Sequence, residues 1–186
     1  MLLDHALAAA ARGGATIERV DLSDYNIGPC TECGACETTG QCPVADDYPT
    51  VLEKLMAADR LIFATPVFFM TVSAHAKALI DRAQALWVRK YRLERPLFEP
   101  PRDRRALVLA IGGSRGRKQF DGIARTMRCY LDCLEFDPIA HLFVNNVDER
   151  GAIHNHPSAV AETDRLVDQW LTSSKPPMEP AIVELF

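Results

Sequence analysis

The sequence lacks a basic excess, a long apolar run and a leader-like start. Its net charge is −4, and nucleic-acid binding is not expected because it needs a basic face that neutralises phosphates. No apolar run reaches the roughly 18 residues that a membrane span needs. The opening MLLDHALAAAARGG has no positive region and carries Asp4 and His5, so it predicts a helix rather than a secretory signal. These features predict a cytoplasmic protein without a membrane or nucleic-acid partner.

Helix patterns alternate with strand patterns along a chain of 186 residues, the size of one domain. Such alternation predicts an α/β fold, a parallel sheet with helices on both faces. Residues 175–186, KPPMEPAIVELF, predict an irregular surface tail after one domain of residues 1–174. The predicted helices are Leu2–Arg12, 47–58, Val72–Trp87, Phe120–Leu134 and Ser158–Leu171, and the predicted strands are Ala15–Leu22, Leu61–Ala64, Ala106–Ile111 and Ile139–Val144.

Two loops are candidates for a ligand site, because ligands of such sheets bind beyond the carboxyl ends of the strands. The loop after Ala64 offers flat apolar side chains for an aromatic ring, and the loop after Ile111 opens with two glycines. Simple strand-to-helix turns are the competing interpretation. The residues concerned are Thr65, Pro66, Val67, Phe68, Phe69 and Met70 in the first loop, and Gly112, Gly113 and Ser114 in the second.

Four of the six cysteines fall within thirteen residues. Cys30, Cys33, Cys36 and Cys42 follow the pattern C-x2-C-x2-C-x5-C, whose two-residue gaps let one loop wrap thiolates around an iron–sulfur cluster. A zinc site and an empty thiol loop remain alternatives. The other two, Cys129 and Cys133, are predicted to be buried core thiols on one helix face.

Two segments carry a family resemblance. ADRLIFATPVFFMTVSAHAKALIDR resembles the second flavin-binding segment of the NAD(P)H-dependent FMN reductase-like flavodoxins, and CTECGACETTGQCPVADDYPTVLEKLMAAD is similar to the cysteine loop of their iron-sulfur flavoprotein branch. The resemblance implies a flavodoxin-like doubly wound sheet, FMN, a homodimer or homotetramer, and electron transfer between FMN and a 4Fe-4S cluster. It places residues 65–70 and 112–114 at the flavin ring and the four cysteines of residues 30–42 at the cluster.

One departure from the family concerns its first strand and phosphate loop, which precede the helix at which this sequence opens. In the strand order 2-1-3-4-5 that strand is central. Its loss is expected to leave Ala15–Leu22 and Leu61–Ala64 one strand's width apart, with unpaired amides. Three explanations are compatible with the sequence: a start assigned too late, a substitute strand, or a rearranged sheet with weakened FMN binding.

The resulting hypothesis is an FMN-dependent oxidoreductase that couples two-electron and one-electron partners, with NAD(P)H as a candidate donor and no catalytic side chain. Its redox partner is a small molecule or another protein. The alternatives are a cluster-free NAD(P)H-dependent FMN/quinone reductase, a non-enzymatic electron carrier and a zinc-stabilised binding module.

Overall fold

The computed structural model describes residues 1–172 and 180–185, and a parallel four-stranded sheet forms its centre. The sheet has the order β1–β2–β3–β4, with all neighbouring strands parallel. Its strands are Arg60–Pro66 (β1), Arg105–Ile111 (β2), Asp137–Val144 (β3) and Ala181–Leu185 (β4). The α-helices of the described residues are Leu2–Arg12 (α1), Tyr48–Ala57 (α2), Ala74–Arg82 (α3), Gln84–Trp87 (α4), Asp121–Cys133 (α5) and Ala159–Thr172 (α6).

Two apolar layers lie on opposite faces of the sheet. Strand β2 alternates between them, because successive side chains of a strand point to opposite faces. Ala106 and Val108 join the layer formed with α2, α3 and α5, whereas Leu107 and Leu109 join the layer formed with α1 and α6. The prediction of a parallel α/β sheet covered on both faces is therefore confirmed.

The predicted strand Ala15–Leu22 is wrong. Residues 15–21 have no regular secondary structure, and a 3₁₀ turn occupies Leu22–Asp24. The β-branched pattern is real, but a strand needs a hydrogen-bonded neighbour, and none of the described strands pairs with this segment. Residues 15–23 and β1 both line a groove of about 610 Å³, together with residues of the neighbouring helices.

Two other predictions need correction. The tail is not irregular over Ala181–Leu185, because this segment forms β4 and pairs with β3 through Ala140–Val144; residues 175–179 and 186 lie outside the described residues. The predicted helix Val72–Trp87 begins at Ala74 and is divided into α3 and α4. A π-helical turn, Val88–Arg92, follows α4 directly.

No helix in the described part of the chain combines the length and the hydrophobicity that crossing a bilayer requires.

Candidate functional site

Thr65 ties the carboxyl end of β1 to the start of α3. The side chain is buried, and its hydroxyl donates a hydrogen bond to the Pro66 carbonyl at 2.9 Å. The same oxygen accepts a hydrogen bond from the Ser73 amide at 3.2 Å. Ser73 in turn caps α3, since its hydroxyl accepts a bond from the Ala76 amide. The predicted flavin loop, residues 65–70, thus starts from a fixed point.

The tip of this loop is a tight turn with an unusual backbone. Phe68 and Thr71 exchange two backbone hydrogen bonds of 2.9 and 3.0 Å, and the residues between them, Phe69 and Met70, have φ angles of 47° and 65°. Positive φ costs a residue with a side chain about 1–2 kcal/mol. Phe69 is also fully exposed, at 101% of its reference area. Strain combined with an exposed aromatic ring is typical of a ligand-contacting surface.

The loops after β1 and β2 meet, as the sequence predicts for neighbouring parallel strands. The Val67 amide donates a hydrogen bond to the Ile111 carbonyl at 2.9 Å. A Cβ atom at Gly112 would lie 3.1 Å from a Val67 methyl group. The structure therefore places Val67 of the first loop beside Gly112 of the second, at the carboxyl ends of β1 and β2.

The two glycines of the second loop do not face open space. A Cβ atom at Gly112 would overlap the Gln119 side chain, and one at Gly113 would lie 2.6 Å from Asp148 Oδ1. The Gln119 amide nitrogen also donates to the Ser114 carbonyl at 2.8 Å. Side chains of the protein itself occupy the space beside these two glycines. The sequence had predicted that a ligand would occupy it.

All four cysteines of residues 30–42, the cysteine loop, line one cavity of about 530 Å³. Cys30 and Cys33 are exposed, whereas Cys36 and Cys42 are half-buried. Burial raises the pKa of the Cys36 thiol; a local backbone hydrogen bond opposes the rise, and the charges of Cys42, Cys30 and Cys33 add to it. The four thiols therefore share one cavity, in which Cys36 and Cys42 are the more shielded pair.

The cysteine loop is held against the π-helical turn Val88–Arg92. Gly40 has a φ of 69°, and a Cβ atom there would lie 2.9 Å from Cβ of Arg89. Glu37 forms an ion pair with Arg92 at 3.4 Å.

Among the residues that the structure describes, no three Cys, His, Asp or Glu side chains are gathered tightly enough to hold a single metal ion. The other cysteines lie outside the loop, and Cys129 is exposed rather than buried as predicted, while Cys133 is buried.

Sequence reasoning missed Arg82, the residue that closes the wall of this cavity. Its Nε atom donates to Cys42 Sγ at 3.2 Å, and its Nη1 atom pairs with Asp46 Oδ2 at 2.5 Å. Burial opposes ionisation of Asp46, but bonds from Arg82 and from the Tyr48 and Gly28 amides outweigh it and lower the pKa of the carboxyl. One feature of the sequence could have identified Arg82: it is a cation on the apolar face of a predicted helix, three residues after Leu79.

The cysteine cavity and the flavin loop lie at opposite ends of α3. The helix begins beside Thr65 and ends at Arg82. At a rise of 1.5 Å per residue, about 12 Å separates Ala74 from Arg82 along the axis. The structure therefore keeps the two predicted sites distinct within one chain, connected by a single rigid helix.

Comparison with known proteins decides the family. The model of the family NADPH-dependent FMN reductase matches residues 1–138. The chain belongs to this family. Membership in the NADPH-dependent FMN reductase family confirms the resemblance read from the two sequence segments.

Curated proteins similar to this FMN reductase family member include iron-sulfur flavoproteins. The chain is 40% identical over 86 residues to an iron-sulfur flavoprotein of Methanocaldococcus jannaschii, a match covering 46% of this chain and 45% of that one. It is 32% identical over 118 residues to an iron-sulfur flavoprotein of Methanosarcina thermophila, covering 63% and 58%. The chain thus spans about half the length of the curated relatives it matches. Among solved structures, NAD(P)H:quinone oxidoreductase from Methanothermobacter marburgensis has a TM-score of 0.61 at 18% identity, covering 92% of this chain and 89% of that one, which confirms the flavodoxin-like fold.

Proposed function

We propose that the protein is an FMN-dependent oxidoreductase that passes electrons between FMN and a 4Fe-4S cluster held by Cys30, Cys33, Cys36 and Cys42. One observation carries the proposal: four thiols from thirteen residues line a single cavity. A zinc ion would require the sulfurs to converge to about 2.3 Å from one point. A cuboidal cluster instead takes its thiolates at separate corners, so its ligands surround a cavity, as the four cysteines do here.

The flavin ring is assigned to the loops after β1 and β2. Phe68, Phe69 and Met70 offer exposed apolar surface, and the adjoining backbone is fixed by Thr65 and by the Val67 bond to β2. These residues are suited to stacking on a ring and to excluding water from one of its faces. No side chain is assigned a nucleophilic role.

When bound, FMN exchanges electrons in pairs and an iron–sulfur cluster exchanges them singly, so together they connect two-electron donors such as NAD(P)H to one-electron acceptors. The contribution of the chain is to hold each group and to fix the separation set by α3. A small molecule or another protein serves as redox partner, and assembly as a homodimer or homotetramer is part of the proposal; light scattering measures the latter.

The decisive test is the iron, sulfide, zinc and FMN content of protein purified without oxygen, with its visible spectrum. We expect close to four iron and four sulfide per chain, and a loss of most of both in Cys36→Ser and Cys42→Ser. Cys129→Ser is the matched control, because it removes an exposed thiol outside the cysteine loop. Colourless protein that contains stoichiometric zinc would contradict the proposal.

A cluster-free NAD(P)H-dependent reductase of FMN or quinones is the second candidate. The exposure of Cys30 and Cys33 favours it, since exposed thiols are accessible to solvent and oxidants. Steady NAD(P)H oxidation with a quinone by iron-free protein would support this candidate. Reversible reduction without turnover of any small substrate would instead indicate an electron carrier.

A further inference from the structure

Arg82 is a fully buried cation beside the cysteine cavity. Its side chain has 0% exposure, although arginine is among the residues least often buried completely. It is the last residue of α3, so its backbone position is set by a helix packed into the core. A buried charge is retained only where partners compensate its lost hydration.

Each nitrogen of the guanidinium group has a hydrogen-bond partner. Nη1 donates to the Gly28 carbonyl at 3.1 Å as well as to Asp46, and Nη2 donates to the Val44 carbonyl at 3.4 Å. Its central carbon lies 4.6 Å from the centre of the Tyr48 ring. These contacts hold the backbone on both sides of the cysteine loop, at residues 28 and 44. The third nitrogen, Nε, donates to Cys42 Sγ.

A lysine cannot reproduce this arrangement. The planar fork of arginine directs donors to the sulfur and to the carboxylate at the same time, whereas an ammonium group is a compact point charge. Arg82→Lys can keep the ion pair with Asp46, but it gives up the fixed N–H···S bond. The two functions of the residue, holding the loop and contacting the sulfur, are therefore separable by substitution.

We infer that Arg82 is a positioning residue that fixes Cys42 as a cluster ligand and raises the reduction potential of the cluster through its N–H···S hydrogen bond. This inference rests on the proposed function. Reduction adds negative charge that is shared with the ligand sulfurs, and a hydrogen-bond donor on a sulfur stabilises the reduced form more than the oxidised form. The carboxylate of Asp46, which lies on the far side of the same guanidinium, acts in the opposite direction.

The experiment compares midpoint potentials, measured by anaerobic redox titration with electron paramagnetic resonance. The variants are Arg82→Lys, Arg82→Gln and Asp46→Asn, each with iron content and circular dichroism determined on the same sample. Arg92→Gln is the matched control, since Arg92 lies beside the same loop, pairs with Glu37 and is exposed. It loses an equal charge without losing a bond to sulfur.

We expect the potential to fall in Arg82→Lys, to fall further in Arg82→Gln and to rise in Asp46→Asn, while Arg92→Gln stays near the wild type. If Arg82→Gln does not fold, the opposite shifts of Arg82→Lys and Asp46→Asn decide the matter. Suppose that the wild-type protein holds a cluster, but its midpoint potential is unchanged in Arg82→Lys or is lowered by the same amount in Arg92→Gln. Either result would overturn the inference and leave the proposed function standing. Iron-free wild-type protein would overturn both.

Discussion

A histidine inside the sheet makes the stability of the fold sensitive to acid. His141 lies on β3, is 2% exposed and packs with its ring centre 5.5 Å from that of Phe143. Neither ring nitrogen has a hydrogen-bond partner in the described part of the chain. Burial lowers the pKa of His141 from 6.5 to about 4. The ring is therefore neutral in the folded protein at any pH above that value.

The sign and size of the effect follow from these two pKa values. Between pH 6.5 and pH 4 the unfolded chain binds a proton at this residue and the folded chain does not, so acidification favours unfolding. Each pKa unit corresponds to 1.36 kcal/mol, which gives a loss of about 3 kcal/mol in the free energy of unfolding. The loss begins near pH 6.5 and is complete near pH 4, and above pH 7 the group contributes no pH dependence.

Urea unfolding from pH 4 to pH 8 measures this loss directly. Between pH 8 and pH 4, we expect the free energy of unfolding of His141→Leu to fall by about 3 kcal/mol less than that of the wild type. His154→Leu is the matched control, because it removes a histidine whose side chain is exposed. Carboxylates titrate in every variant, so the difference between curves isolates the histidine. A difference between wild type and His141→Leu that does not change with pH would refute the reasoning.

Further expectations concern the flavin loop and the thiols of α5. In Gly122→Ala the new methyl group would overlap the Met70 carbonyl, so the loop must shift; by isothermal titration we expect FMN to bind roughly tenfold more weakly, a loss of about 1.4 kcal/mol. Gly116→Ala, where the nearest atom lies 3.9 Å away, serves as its control, and equal FMN affinity in both variants would rule out a role for the loop. Burial raises the pKa of Cys133 to about 11, so iodoacetamide at pH 8 should label Cys129 and spare Cys133 in the folded protein; mass spectrometry finding equal labelling would contradict this.

The apolar runs made most of the fold predictable. Ala106–Ile111 lies in a strand whose uninterrupted hydrophobicity matches burial on both faces. Leu61–Ala64 also lies in a strand, although only Phe63 among its four residues is buried. The prediction of a strand at residues 15–22 was wrong, because strand propensity does not show whether a neighbouring strand is available for pairing. Strand β4 was missed for the converse reason, since five residues after a proline-rich stretch become a strand only through pairing with β3.

The site was predictable where spacing alone defines it. The four cysteines were found because their positions are close in sequence, and the structure places them around one cavity. Arg82 was missed because its partners, Asp46 and Cys42, come from a segment about forty residues earlier. Charges are normally solvated, and only the fold shows that this one is enclosed.

The outer edge of β1 has a consequence for handling the protein in solution. This edge strand is protected at its ends, by the charge of Arg60 and by Pro66, which cannot donate a hydrogen bond. Among the residues that the structure describes, no strand pairs with the outer side of residues 61–65, and only a groove shared with residues 15–23 adjoins them; an unpaired strand edge can template intermolecular β-pairing. Concentrated samples should therefore form ordered aggregates that nucleate at this strand, and a lysine in place of Ile62 should delay their appearance.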